Sequence, residues 1–165
     1  MGHVVVGVDG SEPSRAALAW AANYAQERDA TLHVVNVYRV SDDPNPYDVG
    51  MVGGDSGVHF QEQQAKLAQG WRSEHDRYAR QQAEAKVAHM VEELDSPTPD
   101  RITAVAVEGR RPAKALIEAA EGADILVVGS RGRGGFAGLV LGSVSQQLAG
   151  YAPCPLLIVR HDEDD

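Results

Sequence analysis

Cysteine is nearly absent from this chain: Cys154 stands alone among 165 residues. No internal disulfide can form, which fits a reducing compartment. Flanked by Pro153 and Pro155 and leading into a strand, Cys154 reads as a small packing residue and not as a nucleophile. Long hydrophobic runs are missing too, and none reaches the length of a membrane span. The N-terminal Met1-Gly-His-Val-Val-Val runs straight into a strand pattern, with no charged leader or cleavage site. The expectation is a cytoplasmic protein without a membrane partner. Positive charge is in deficit, 15 basic residues against 24 acidic ones, for a formal net charge of -9. Nucleic acid repels such a chain at long range and is not expected as a partner, so a phosphate ligand would have to be held by local donors. No Ser/His/Asp or Cys/His set is evident, and the six histidines are scattered without a ligand spacing such as HExxH. No catalytic residue and no protein-borne metal site is assigned.

At 165 residues and 43% hydrophobic, the chain is long enough for one sizeable core and too short for two ordinary domains. A single domain over residues 1–165 is expected. Strand and helix patterns alternate along it. His3 to Asp9 reads as a buried strand, and Ser11 to about Arg28 as an Ala-rich helix capped by Ser11 with Pro13 in its first turn. Thr31 to Tyr38 is a strand, Arg72 to about Asp95 a helix, Ile102 to Val107 a strand and Pro112 to Glu121 a helix. Asp124 to Gly129 is again a strand, Ser143 to about Tyr151 a helix, and Pro155 to Arg160 the last strand. Strands this apolar are covered on both faces, so the fold class is a doubly wound α/β sandwich with a parallel sheet and right-handed crossovers. Residues 39–70 break the rhythm with several prolines, glycines and aspartates, then a Gln-rich stretch, Gln61 to Gln69, that could be helical. They read as an inserted loop or lid. Residues 161–165 form an acidic tail.

The richest motif is Gly129-Ser-Arg-Gly132, nine residues, then Gly142-Ser143, placed between an apolar strand and a short helix. Glycines let the backbone turn sharply and approach a ligand closely. The helix beginning at Ser143 offers its positive end to an anion. In an open α/β sheet, ligands bind beyond the carboxyl ends of the strands where the strand order reverses. A central first strand would put Gly7-Val-Asp9-Gly10-Ser11 on one side of that crevice and the end of the fourth strand, Val128-Gly129, on the other. Asp9 is an acceptor suited to ribose hydroxyls or an adenine amino group, and it also suits a helix cap. Gly129, Arg131, Gly132, Ser143 and Ser145 supply phosphate donors. Other nucleotide motifs fail: no GxxxxGK[ST] occurs. Gly132-Arg-Gly134-Gly-Phe-Ala137 lies near the C-terminus without the acid that a dinucleotide fingerprint needs about 20 residues on.

These segments resemble the universal stress protein family, in the subset that binds ATP. The resemblance rests on Gly129, Gly132, Gly142 and Ser143 in the pattern G, two residues, G, nine residues, G, then S or T. It is joined by Val8-Asp9-Gly10-Ser11, Val127-Val128-Gly129-Ser130-Arg131-Gly132 and Ala152-Pro-Cys-Pro155. It implies a five-stranded parallel sheet in the order 3-2-1-4-5 with helices on both faces. It also implies that Asp9 faces the ribose or adenine, that Val37 meets adenine through its backbone, and that Gly109 lies near the base. Gly129, Arg131, Gly132, Gly142, Ser143, Val144 and Ser145 would surround ribose and phosphates. Gly109-Arg-Arg-Pro112 carries one residue more than the family's Gly-x-Pro. Magnesium, if bound, would be held mostly by the phosphates. The implied function is a stress-response regulator whose surface changes when ATP orders the Ser130 to Leu141 loop. The alternatives are a cyclic AMP-binding member, a slow ATPase or phosphotransferase, and a nucleotide-free interaction protein. A homodimer through the last strand, Leu156-Leu157-Ile158-Val159, is also implied.

Overall fold

The computed structural model describes residues 2–40, 58–94, 99–132 and 141–160. Its strands are β1 (His3–Val8), β2 (Thr31–Tyr38), β3 (Ile102–Glu108), β4 (Ile125–Gly129) and β5 (Leu156–Val159). Between them run α1 (Glu12–Glu27), α2 (Val58–Glu92), α3 (Pro112–Ala119) and α4 (Ser143–Tyr151). Every strand pair is parallel and the sheet order is β3-β2-β1-β4-β5, as expected from the sequence. The connection leaving β1 runs toward β2, and the one leaving β4 runs toward β5. The two chains therefore diverge above neighbouring strands and open a crevice between their carboxyl ends.

The valine run of β1 explains why that strand is central. Val4, Val5 and Val6 are 1%, 0% and 0% exposed, so side chains on both faces of the pleat are covered. Val4 and Val6 pack with Leu18 and Ala21 of α1 and Val87 and Met90 of α2. On the opposite face, Val5 and Val35 pack with Leu116 of α3 and Leu148 of α4. Gly7 is a packing glycine: a Cβ there would come within 2.8 Å of Leu116 Cδ1. Its strand partner in register is Val128, itself buried. Both lie in the core beneath the crevice.

The largest departure from the expected elements is α2, which begins at Val58 and not near Arg72. Residues 58–70 are mostly Gln, Glu, Ala, Lys and Leu, good helix formers with no proline among them, so the helix runs on through the second part of the insertion. Gly70 interrupts that composition, yet it is exposed and a single glycine costs only about 1 kcal/mol against alanine. The last part of α2 docks through Ala83, Val87 and Met90, spaced as one helical stripe. Residues 41–57 of the insertion, the tail from 161 to 165 and Asp95 lie outside the described residues.

At the far end of the sheet from the crevice, the His3 and His33 rings meet edge-on with centroids 4.2 Å apart. Burial, with His3 beside it, pushes the His33 imidazole below its ordinary pKa. This pair sits at the amino ends of β1 and β2 and has no part in the crevice.

Candidate functional site

The crevice lies between two chain segments, one after β1 and one after β4, whose described residues are anchored by hydrogen bonds. After β1, Asp9 Oδ1 accepts from Ser11 N (2.9 Å) and Ser11 Oγ (2.6 Å). Ser14 Oγ accepts from Gly10 N (3.2 Å) and donates to Ser11 O (2.8 Å). Gly10 takes φ +87°, the left-handed region that glycine reaches without strain. Ser11 occupies the N-cap position of α1 but makes no side-chain capping bond. Its hydroxyl is turned back and donates to the Asp9 carboxylate, a charge-assisted bond. Asp9 is thereby fixed in orientation. One strand over, the buried Asn36 Nδ2 donates to Val8 O at 2.7 Å and locks the ends of β1 and β2 together.

The second turn follows β4. Ser130 N donates to Val159 O (2.8 Å), and Gly142 N donates back to Ser130 O (2.7 Å). Ser145 Oγ, buried, donates to Ser130 O (2.9 Å) and Gly142 O (3.0 Å). The hydroxyl proton of Ser145 is thus held by the protein, and the residue works as a clasp between β4 and α4. The helical ladder of α4 starts with Gln146 N to Gly142 O at 2.9 Å. The N–H groups of Ser143, Val144 and Ser145 therefore head the helix with no carbonyl of their own turn to take, and the helix dipole favours an anion there.

Three glycines of the motif have three different reasons. A Cβ on Gly129 would lie 2.7 Å from the carbonyl carbon of Pro13 and 2.8 Å from its oxygen. This glycine lets β4 pack directly on the first turn of α1. A Cβ on Gly132 would lie 2.5 Å from Asp9 Oδ2, which places the loop after β4 against the Asp9 carboxylate. At Gly142 a Cβ would meet Arg131 Cα at 3.5 Å and Gly132 N at 3.7 Å, ordinary contact distances that show how closely the two halves of the motif approach. Asp9, Arg131, Gly132, Gly142 and the head of α4 are accordingly brought to one place. Residues 133–140 of the intervening loop lie outside the described residues.

On the β2 side of Asp9 the crevice widens into a cleft of about 810 Å³ between the ends of β1 and β2 and the face of α2. Val37 lies on its floor, and Gly109 sits beside Val37, where a Cβ would come 3.1 Å from Val37 Cγ1. Gly109 N donates to Tyr38 O at 2.9 Å, so the extra residue before Pro112 leaves Gly109 paired to β2. Burial, then nearby Glu108, pushes the Tyr38 phenol above its ordinary pKa, and it stays a neutral donor at the cleft. Sequence reasoning missed Asn36, Ser14 and the α2 wall. The one legible signal was a lone asparagine in an otherwise apolar strand. Among the described residues no group of three or more metal-ligating side chains could hold an ion, and no helix is long and apolar enough to cross a membrane.

A five-stranded parallel sheet of order 3-2-1-4-5, flanked by helices and open at its switch point, defines a doubly wound α/β protein. Residues 1–160 match the universal stress protein family model, and the chain belongs to that family. A universal stress protein of Thermus aquaticus is 32% identical over 159 residues, 95% of this chain and 97% of its own length. One from Mycolicibacterium smegmatis is 34% identical over 164 residues, and there the chain spans 95% of itself but only 45% of the relative. The chain thus spans about half the length of most of the curated relatives it matches. Among solved structures, the hypothetical protein MJ0577 superposes with a TM-score of 0.71 at 19% identity, covering 99% of this chain and 98% of the other. A universal stress protein in complex with cAMP superposes with a TM-score of 0.53 at 27% identity, covering 96% and 95%.

Proposed function

We propose that this chain binds an adenine nucleotide, ATP with magnesium carried on its phosphates, at the crevice between β1 and β4. Asp9 would take the ribose, Val37 the base, and Arg131, Gly132, Gly142 and the N–H groups of Ser143, Val144 and Ser145 the phosphates. The observation that carries this reading is the close approach of Gly132 to Asp9, with Gly142 and the head of α4 beside Gly132. That is a compact set of donors for an anion next to an acceptor for a sugar. The related protein solved with cAMP supports an adenine nucleotide as the ligand class. Three helix-head amides and an arginine suit a chain of phosphates better than a single cyclic one. The protein would act in the cytoplasm as a stress-response regulator, its β4–α4 loop ordered by ligand and read as a changed surface. Such coupling requires unequal affinity for two loop states. Freshly purified protein, denatured and examined by chromatography and mass spectrometry, is expected to release ATP. Release of ADP alone would mean turnover. Release of cAMP would replace ATP as the ligand, and a chain that retains no nucleotide and binds none on titration would end the proposal.

A homodimer through β5 is part of the same reading. β5 is an edge strand, half-buried along Leu156–Val159. The carbonyls of Pro155 and Val159 accept from Leu126 N of β4 and from Ser130 N just after it. The strand alternation then turns the backbone groups of Leu156 and Ile158 outward for a second strand. Light scattering is expected to give twice the 17.6 kDa chain mass, and a monomer at micromolar concentration would refute the dimer.

A further inference from the structure

We propose that α2 forms a wall of the ligand pocket, with Tyr78 covering the nucleoside and Lys86 pairing with the phosphate nearest the ribose; this rests on the nucleotide reading above. Two stripes run along this helix. Ala83, Val87 and Met90 are buried and dock it onto the sheet. Beside them His75, Tyr78, Gln82, Lys86 and His89 recur at helical spacing and line the cleft. That second stripe takes no part in the core, and its composition is that of a binding surface.

The charge of the cleft runs against the charge of the chain. The molecule carries a net -9, yet among the described residues the cleft is lined by Arg39 and Lys86 with Asp9 as its one acid. Arg39 is engaged on the Arg110 carbonyl at 3.1 Å, whereas Lys86 makes no ion pair among the described residues. The Lys86 stem crosses the β1–α1 turn, its Cδ 3.5 Å from where a Gly10 Cβ would stand. The ammonium, two bonds further on, is carried by a half-buried stem to the turn that bears Asp9. A half-buried lysine over a glycine turn, with no ion pair among the described residues although Asp9 stands on the same turn, is placed for an anionic ligand.

Tyr78 supplies an aromatic surface at the rim of the cleft. It is 64% exposed, although it borders a cleft and stands one helical turn from a preformed stack of His75 on Trp71 at 4.1 Å between centroids. An exposed phenol ring at the rim of a pocket gains by covering the flat face of a base. Gln82, one turn further along, faces the same space with both a donor and an acceptor.

The test is calorimetric titration of the full chain with ATP and with adenosine, for the unmodified protein, Lys86→Met and Tyr78→Ala, with far-UV circular dichroism as the fold control. Lys86→Met is expected to weaken ATP about tenfold, the loss of one charge-assisted contact, and to leave adenosine within about twofold. Tyr78→Ala is expected to weaken both ligands by about fivefold to tenfold, since stacking does not depend on the phosphates. Unchanged affinities in both folded variants would overturn the α2 wall while leaving the nucleotide site standing. Equal losses for ATP and adenosine in Lys86→Met would overturn the phosphate pairing. If the unmodified protein binds neither ligand, the nucleotide reading itself falls and the wall with it.

Discussion

Gly132→Val is expected to weaken ATP binding by at least about 100-fold, roughly 2.7 kcal/mol, with the fold retained. The first atom added is enough to disturb the site. A Cβ at this position lies 2.5 Å from Asp9 Oδ2, so the loop or the carboxylate must move. Asp9 cannot swing without cost, because its other oxygen holds both the N–H and the hydroxyl of Ser11. Hydrogen bonds to a charged group contribute about 1.5–3 kcal/mol each, and losing the Asp9 orientation or the close approach of Gly132 removes at least one such contact from the ligand. Gly132 is exposed, beyond the end of β4, and supports nothing in the core, which is why the loss of stability is expected to stay within about 1–2 kcal/mol, the disturbance being confined to the Asp9 turn. Titration calorimetry together with a urea melt checks both halves. Unchanged ATP affinity would remove Gly132 and Asp9 from the site.

The neighbouring glycine of the same motif is expected to behave in the opposite way. Gly129→Ala should lower stability by about 2–3 kcal/mol, the cost of overpacking a tight contact. On propensity alone, replacing a strand glycine by alanine would raise stability by about 0.5–1 kcal/mol, so the sign decides between the two effects. The added methyl meets the carbonyl carbon and oxygen of Pro13 at 2.7 and 2.8 Å. Those are backbone atoms of the first turn of α1, which the Ser14 and Asp9 hydrogen bonds hold in place and which cannot rotate aside as a side chain would. A urea midpoint shifted down with an unchanged m-value is the expected readout. A midpoint shifted up would show that α1 recedes easily and that packing on Pro13 does not require glycine at this position. Gly129 and Gly132 are three residues apart in one motif, yet one is set by the packing of α1 on the sheet and the other by Asp9.

Much of this was legible before any coordinates. The valine run of β1 and the alternation of apolar strands with Ala-rich helices require a parallel sheet covered on both sides, because such strands find burial in no other arrangement. The glycine spacing from Gly129 to Ser143 marked the turn after β4, since the approaches made at Gly129 and Gly132 leave no room for a Cβ. The start of α2 was not legible. Residues 58–70 have no alternation of apolar and polar positions strong enough to separate a helix from a polar loop, and α2 continues through them on propensity alone. The roles of Ser11 and Ser145 were also out of reach. A hydroxyl at a helix start reads as a cap or a phosphate donor, and only the positions of Asp9 and Ser130 showed that both hydroxyls already donate within the protein.

The sequence by itself determined the sheet class, the family and the place of the Gly-rich turn ahead of α4, because each depends on local pattern: hydrophobic period, glycine spacing and the residue that opens a helix. Only the tertiary structure decided which glycine answers to packing and which to Asp9. It alone showed that Asn36 ties β1 to β2, and that the polar stripe of α2 faces the same cleft as Val37. Those facts depend on which atoms meet across residues far apart in the chain, and no local pattern encodes a distance between two strands or the direction in which a helix turns its second face.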